Sequence, residues 1–141
     1  MRYFIALLTI FCIILSGYAV WQVQQRNALP DVHIAGGVVY DSGATPAGKF
    51  LVHTFRVENP HSFALGLEVP MAGCTCTTAT LSASIIPAHE AADVTLRVEP
   101  EGGKFNGSAS IITMHGGKST ETWLIVTGKS LSAKARTAGQ K

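Results

Sequence analysis

The fold class follows first from the stretch Lys49–Asn59, which reads KFLVHTFRVEN. Apolar and polar residues alternate along it, and one face is apolar apart from a single histidine: Leu51, His53, Phe55 and Val57. Successive side chains of an extended chain point to opposite faces. The pattern therefore predicts a half-buried β-strand with His53 on its inward face.

Six further stretches show short alternating or β-rich patterns, separated by turn residues such as Pro60, Pro87 and the Gly116–Gly117 pair. These stretches are Val32–Val39, Phe63–Val69, Thr77–Leu81, Asp93–Val98, Ser108–Met114 and Thr120–Thr127. About seven strands within roughly 100 residues is the size of an immunoglobulin-type domain. We therefore expect residues 29–130 to form an all-β, immunoglobulin-like antiparallel β-sandwich.

Its predicted structural core is Leu51, Phe55, Leu65, Leu67, Val94, Leu96 and Val98. Trp123 is also assigned to the core.

Residues 1–26 have a different character. Arg2 precedes an apolar run that carries no charge until Arg26, which predicts one N-terminal hydrophobic helix. Two interpretations remain open. The run approaches the length of a membrane anchor, and the small residues of Gly17-Tyr18-Ala19 also suit a cleaved signal peptide. With Arg2 on the cytoplasmic side, the positive-inside rule places the remaining chain outside the cytoplasm, either anchored in the inner membrane or released to the periplasm. Residues 131–141 are expected to be a disordered basic tail.

Charge and motif content exclude several function classes. The net charge is only +2, and no Lys/Arg cluster interleaves with aromatic residues, so nucleic acid is not an expected partner. No serine or threonine lies in a nucleophile motif, and the glycine pairs match neither a P-loop nor a dinucleotide-binding fingerprint. The sequence therefore predicts no enzyme.

Cysteines provide one candidate chemical site. Cys12 lies in the apolar segment, so Cys74 and Cys76 are the two cysteines of the sandwich. Alternate residues of an extended segment point the same way, and two thiolates so placed suit copper or zinc. His53 is the preferred third ligand, with Met71, His61, Met114 and His115 as alternatives, although an inward-facing histidine is more often a hydrogen-bonded core residue. Structural zinc sites usually have four ligands, and two other interpretations therefore stay open: a redox or intermolecular disulfide, and a purely structural pair.

At this point the residues resemble a known family. The quoted run Val52–Asn59 precedes Leu65-x-Leu67-x-Val69, Gly73-Cys74-Thr75-Cys76-Thr77, Ile86-Pro87 and Val94-x-Leu96-x-Val98. Together they resemble a bacterial exported family, domain of unknown function 1573, over about residues 35 to 128. Thr75 and Ala88 replace two glycines of its pattern. The resemblance implies an immunoglobulin-like fold of the major sperm protein and pilus-chaperone kind, and the family has no established function.

We therefore predict a non-enzymatic interaction or scaffold module of the cell envelope, without an obligate cofactor. Its expected partner is another envelope protein, held by a sheet edge or by end loops. The alternative is a protein that handles copper or zinc, or exchanges thiols, through Cys74 and Cys76.

Overall fold

The structure is a computed structural model that describes residues 2–46, 48–73, 76–100 and 103–131. Cys74, Thr75 and the predicted tail from residue 132 onward lie outside these residues. The described part contains one helix, α1 (Arg2–Asn27), and nine strands. The strands are β1 (His33–Ala35), β2 (Val39–Pro46), β3 (Leu51–Glu58), β4 (Leu65–Ala72), β5 (Thr77–Leu81), β6 (Ile85–Ile86), β7 (Ala91–Val98), β8 (Gly103–His115) and β9 (Lys118–Leu131).

The strands form two sheets. One has the order β1-β3-β7-β5, and the other has the order β2-β9-β8-β4-β6. Every described pairing is antiparallel except that of β2 with β9, which is parallel. The inward faces of the sheets meet in a single apolar core. This arrangement confirms the predicted β-sandwich preceded by one N-terminal helix.

The first strand differs from the sequence prediction. Val32–Val39 was expected to be one strand, and it is divided between the two sheets as β1 and the start of β2. Gly36 and Gly37 lie between them with φ angles of 83° and 89°. Glycine adopts this left-handed conformation without the steric cost that a Cβ atom adds. The glycine pair therefore ends β1 and lets the chain cross to the other sheet.

The core is built from alternate residues of the central strands. Phe55, Leu65, Leu67, Val94, Leu96 and Val98 are each at most 2% exposed, and Leu51 is half-buried against them. The expectation for Trp123 was wrong, because its ring is 46% exposed on the outer face. Its neighbour Leu124 is fully buried, and strand periodicity then directs the tryptophan outward.

Helix α1 is long and apolar enough to cross a membrane. Residues Ala6–Gln24 form a 19-residue stretch with a mean hydropathy of 1.9, and none of it is buried inside the molecule. A 30 Å hydrocarbon layer needs about 20 such residues. A signal sequence has the same composition, so this helix fits both an anchor and an export signal.

The sandwich has two ends, one near α1 and one far from it. The helix-proximal end comprises residues 59–64, 87–90 and 115–118, where Asn59 N–H donates to the Glu90 carbonyl and His89 N–H to the His61 carbonyl. Among the described residues, the helix-distal end comprises 72–73, 76–77, 98–100, 103 and 130–131. There Thr77 pairs with Val98, and Gly103 pairs with Ser130.

Candidate functional site

Four strands lie at the sheet edges, and three of them carry features that discourage pairing with another chain. β1 has three residues, and β6 has two and is followed by Pro87. β2 has an irregular register between Asp41 and Ala44. There Gly43 has a φ angle of 65° and donates its N–H to Asp41 Oδ1 at 2.9 Å. Short length, proline and bulges are the usual protections of edge strands.

β5 lacks these protections. Its sequence, TTATL, has no charge and no proline, and its register with β7 is continuous from Thr77–Val98 to Leu81–Val94. No described strand pairs with its other side. Threonine favours extended backbone, and Thr78 and Thr80 are exposed. β5 is therefore the candidate functional site of the sandwich.

Main-chain bonds show which groups of β5 face outward. Glu99 N–H donates to the Cys76 carbonyl at 2.9 Å, and Ser82 N–H donates to the Asp93 carbonyl at 2.9 Å. In an antiparallel pair, hydrogen-bonded positions alternate with positions whose polar groups point away. Even-numbered residues thus bond to β7. Ala79 and Leu81 direct their main-chain N–H and C=O groups to the free side.

Cys76 directly precedes this strand and is disulfide-bonded. Its carbonyl accepts a hydrogen bond from Glu99 N–H, next to β7, and this bond fixes the first residues of β5. Cys74 lies outside the described residues. Cys12, on α1, is a free and exposed thiol.

His53 lies on the inward face of β3, where its ring contacts two other rings. It stacks on Tyr40 at a centroid distance of 3.6 Å and meets Phe55 edge-on at 4.7 Å. Burial lowers the pKa of His53 below its ordinary value of 6.5. The stack therefore favours the neutral imidazole.

His53 and Cys76 lie on opposite sides of β7. Leu96 pairs with His53 on one side and with Ala79 of β5 on the other, a separation of about 10 Å for two strand spacings. The structure thus does not place His53 beside Cys76. Among the described residues, no three His, Cys, Asp or Glu side chains are placed to hold a metal ion. The site of Cys74, Cys76 and His53 stays a prediction, because Cys74 is not described.

Asn59 is a structurally central residue that was predicted to begin a turn but not to be a site residue. It is 2% exposed. Its Nδ2 atom donates to the carbonyls of Phe63, Ile86 and Pro87 at 2.7, 3.1 and 2.9 Å. Its Oδ1 atom accepts the His61 N–H at 3.0 Å. The asparagine before Pro60 was a signal for this local bonding, since such side chains stabilise turns.

Three rings stack at the helix-proximal end. Phe63 lies between His61 and His115, with centroid distances of 4.6 and 3.8 Å. His61 Nε2 also lies 3.0 Å from Asp31 Oδ1. His115 Nδ1 lies 3.2 Å from the Ala64 carbonyl oxygen. Sequence periodicity gave no signal for this stack, because its members come from two separate loops.

Solved structures share this fold at low sequence identity. A protein of unknown function from Porphyromonas gingivalis W83 superposes with a TM-score of 0.59 and 14% identity over 70% of this chain. This chain spans 46% of that protein's length. The seventh PapD-like domain of human CEP192 gives a TM-score of 0.58 and 12% identity over 74% of this chain and 88% of its own. The YadV chaperone gives a TM-score of 0.56 and 15% identity over 74% of this chain and 54% of its own.

No curated protein matches the sequence. The model of one protein family, described as proteins of unknown function (DUF1573), matches residues 36–129, which is more than half of the chain. The matched segment runs from the glycine turn after β1 through β9 and includes the free edge of β5. The family expected from the sequence motifs is therefore confirmed, and the chain belongs to the DUF1573 family of proteins.

Proposed function

We propose that the chain is a non-enzymatic interaction module of the cell envelope, which binds an extended segment of another envelope protein along the free edge of β5. The observation that carries this proposal is the unprotected edge itself. Ala79 and Leu81 of β5 direct main-chain donors and acceptors to that side, and a peptide strand added there satisfies them. Main-chain bonds of this kind supply affinity that depends little on the partner's sequence.

The side chains of β5 indicate what the partner segment must offer. Thr78 and Thr80 lie on the outer face, whereas Ala79 and Leu81 are half-buried and face the second sheet. A strand added beside them has alternate side chains on the same two faces. The expected partner is therefore an extended segment that alternates small polar residues with apolar ones.

Helix α1 supports the envelope location. It is apolar over Ala6–Gln24, and the nearest preceding charge is Arg2. We propose that α1 is retained as an anchor, with the sandwich outside the cytoplasm. The helix-distal end, where β5 begins, then points away from the membrane and meets soluble or neighbouring envelope proteins.

A matched pair of variants at Ala79 tests the edge. Ala79→Pro removes an outward N–H without breaking a bond to β7, whereas Ala79→Val keeps that N–H. A photo-crosslinking residue at Thr80 in the full chain, used in intact envelopes, is expected to capture a partner through an extended peptide. Capture should be lost in Ala79→Pro and retained in Ala79→Val.

A synthetic copy of the captured peptide should then protect the amides of Ala79 and Leu81 from hydrogen exchange in the purified protein. Capture that survives Ala79→Pro would contradict the proposal. So would equal capture from a crosslinker at Val52, which is 58% exposed on the outer face of β3.

The disulfide at Cys76 favours a second candidate function, thiol–disulfide exchange. In such a reaction a partner dithiol is oxidised as the Cys76 disulfide is reduced. Equilibration with glutathione buffers, followed by counting free thiols, measures whether the disulfide lies in a range where exchange occurs. Titration of the reduced protein with Cu(I) and Zn(II), compared with Cys76→Ser, tests the metal alternative.

A further inference from the structure

The connection between α1 and the sandwich is short. α1 ends at Asn27, and Ala28 N–H still donates to the Gln24 carbonyl at 3.1 Å. Pro30 is buried, and its carbonyl accepts a hydrogen bond from Thr113 Oγ1. Only residues 28 and 29 therefore separate the helix from a point fixed to the sandwich.

The next residue is also fixed. The His61 Nε2 atom lies 3.0 Å from Oδ1 of the Asp31 carboxylate and 2.9 Å from the Asp31 carbonyl oxygen. Each residue of extended chain spans at most about 3.6 Å, so the step from Asn27 to Pro30 reaches no more than about 11 Å. The headgroup region on each side of a bilayer is about 5 to 7 Å thick. An anchored α1 therefore leaves the sandwich no room to move away from the lipid surface.

A cleft between the helix and the sandwich fixes which end faces the lipids. Its volume is about 430 Å³, and Trp21 and Gln24 of α1 line it together with His61, Phe63 and His89. Tryptophan near the end of a membrane-spanning helix lies at the headgroup level. Loops that share a cleft with Trp21 therefore lie at that level too.

The chemistry of the helix-proximal end suits lipid headgroups. Residues 59–64, 87–90 and 115–118 carry three histidines, one lysine and one glutamate, and Asp31 lies beside His61. The stacked rings of His61, Phe63 and His115 present flat, amphipathic side chains of the type found at membrane interfaces. Leu29, which is 62% exposed, adds an apolar side chain at the same level.

We propose that the helix-proximal end of the sandwich packs against the phospholipid headgroups and holds the domain in one orientation, with the Cys76 end pointing away from the bilayer. This inference rests on the retention of α1 that forms part of the proposed function. It adds a second partner surface, the lipid bilayer, at the end opposite the start of β5.

Fluorescence quenching in membranes tests the orientation. The full chain, with Trp21→Phe and Trp123→Phe, is placed in vesicles of phosphatidylethanolamine and phosphatidylglycerol that contain a nitroxide-headgroup lipid. A single tryptophan is then introduced as Ser62→Trp at the helix-proximal end, or as Phe50→Trp near the helix-distal end. Ala64→Trp is a second proximal reporter in case Ser62→Trp unfolds the loop. We expect several-fold stronger quenching at the proximal position, and equal or reversed quenching would overturn the inference.

A flexible Gly-Ser insertion between Ala28 and Leu29 tests the role of the short connection. It should reduce quenching at Ser62→Trp towards the Phe50→Trp level, and unchanged quenching would show that the connection does not hold the sandwich in place. The intact mass of the protein extracted from cell membranes tests anchor retention separately. Equal quenching in a chain that keeps α1 overturns the orientation alone, whereas a mass that lacks α1 overturns the anchor.

Discussion

At the scale of single residues, Asn59 joins two loops of the helix-proximal end through one amide group. Three carbonyls converge on its Nδ2 atom, and a main-chain N–H points at its Oδ1 atom. If the Asn59 amide is removed, the buried main-chain groups that it bonds lose their hydrogen-bond partner and keep the cost of having left water. The loops that form the proposed lipid-facing end therefore depend on this side chain.

Asn59→Asp is expected to destabilise the fold by about 2 to 4 kcal/mol, because a carboxylate has the same shape but faces carbonyls without a proton to donate. Urea unfolding of the full chain in detergent micelles, followed by circular dichroism, measures the loss. Asn106→Asp is the matched control, since Asn106 is exposed on β8 and its replacement should change stability by less than about 0.5 kcal/mol. Equal effects of the two variants would contradict the role of Asn59.

His53 predicts a pH dependence of stability. Burial lowers its pKa in the folded chain, so the unfolded chain binds the proton more readily. The contribution of His53 is therefore fully present above about pH 6.5 and decreases as the pH falls below the unfolded pKa. His53→Phe keeps a ring beside Tyr40 and should flatten the dependence between about pH 7.5 and 5.5. Identical slopes for the wild type and His53→Phe would contradict the assignment.

At the scale of elements, we expect the order of β5 to depend on the disulfide. Cys76 precedes it directly, and the bond from Glu99 N–H holds its start. A five-residue edge strand has few bonds of its own, and local opening concentrates in such regions.

Reduction of the disulfide is expected to speed amide exchange of Thr78 and Thr80, whose N–H groups bond to β7. The amides in the middle of β8, which has a strand on each side, should change little. Hydrogen-exchange mass spectrometry of the oxidised and reduced full chain measures both. Cys12→Ser is the control and should behave as the wild type. Uniform acceleration across β5 and β8 would show that the disulfide stabilises the whole sandwich instead.

Local pattern and long-range pairing differ in how well the sequence predicts them. Thr77–Leu81 was expected as a strand and is β5, and the Gly116–Gly117 turn joins β8 to β9 as its composition indicates. The split of Val32–Val39 was not predicted, because the alternation continues across Gly36 and Gly37. The parallel pairing of β2 with β9 joins segments about 85 residues apart, and no local pattern carries that information. The β5 edge could not be predicted either, since it depends on strand order.

At the scale of the whole molecule, the chain has an apolar helix at one end and a polar sandwich at the other. Arg2 is the charge that precedes the apolar stretch, and the positive-inside rule predicts that the sandwich lies outside the cytoplasm.

A reporter that is active only in the cytoplasm, fused after Lys141, is expected to be silent. Deletion of residues 2–26 from the same fusion should restore its activity, because the export segment is then missing. Reporter activity in cells that express each fusion measures both results. Strong activity of the full-length fusion would place the sandwich in the cytoplasm and contradict the topology.

The parallel pairing of β2 with β9 has a mechanical consequence. The chain enters from α1 at one end of the sandwich and leaves from β9 at the other, so tension between the termini acts along these two strands. Their ladder, from Val39–Ile125 to Pro46–Leu131, is then loaded in shear, and its bonds share the force instead of opening one after another. In optical tweezers, unfolding should require more force when the handles are at the two termini. It should require less when the C-terminal handle is moved to Gly117, at the same end as α1. A membrane-tethered module that holds a partner under load benefits from this geometry.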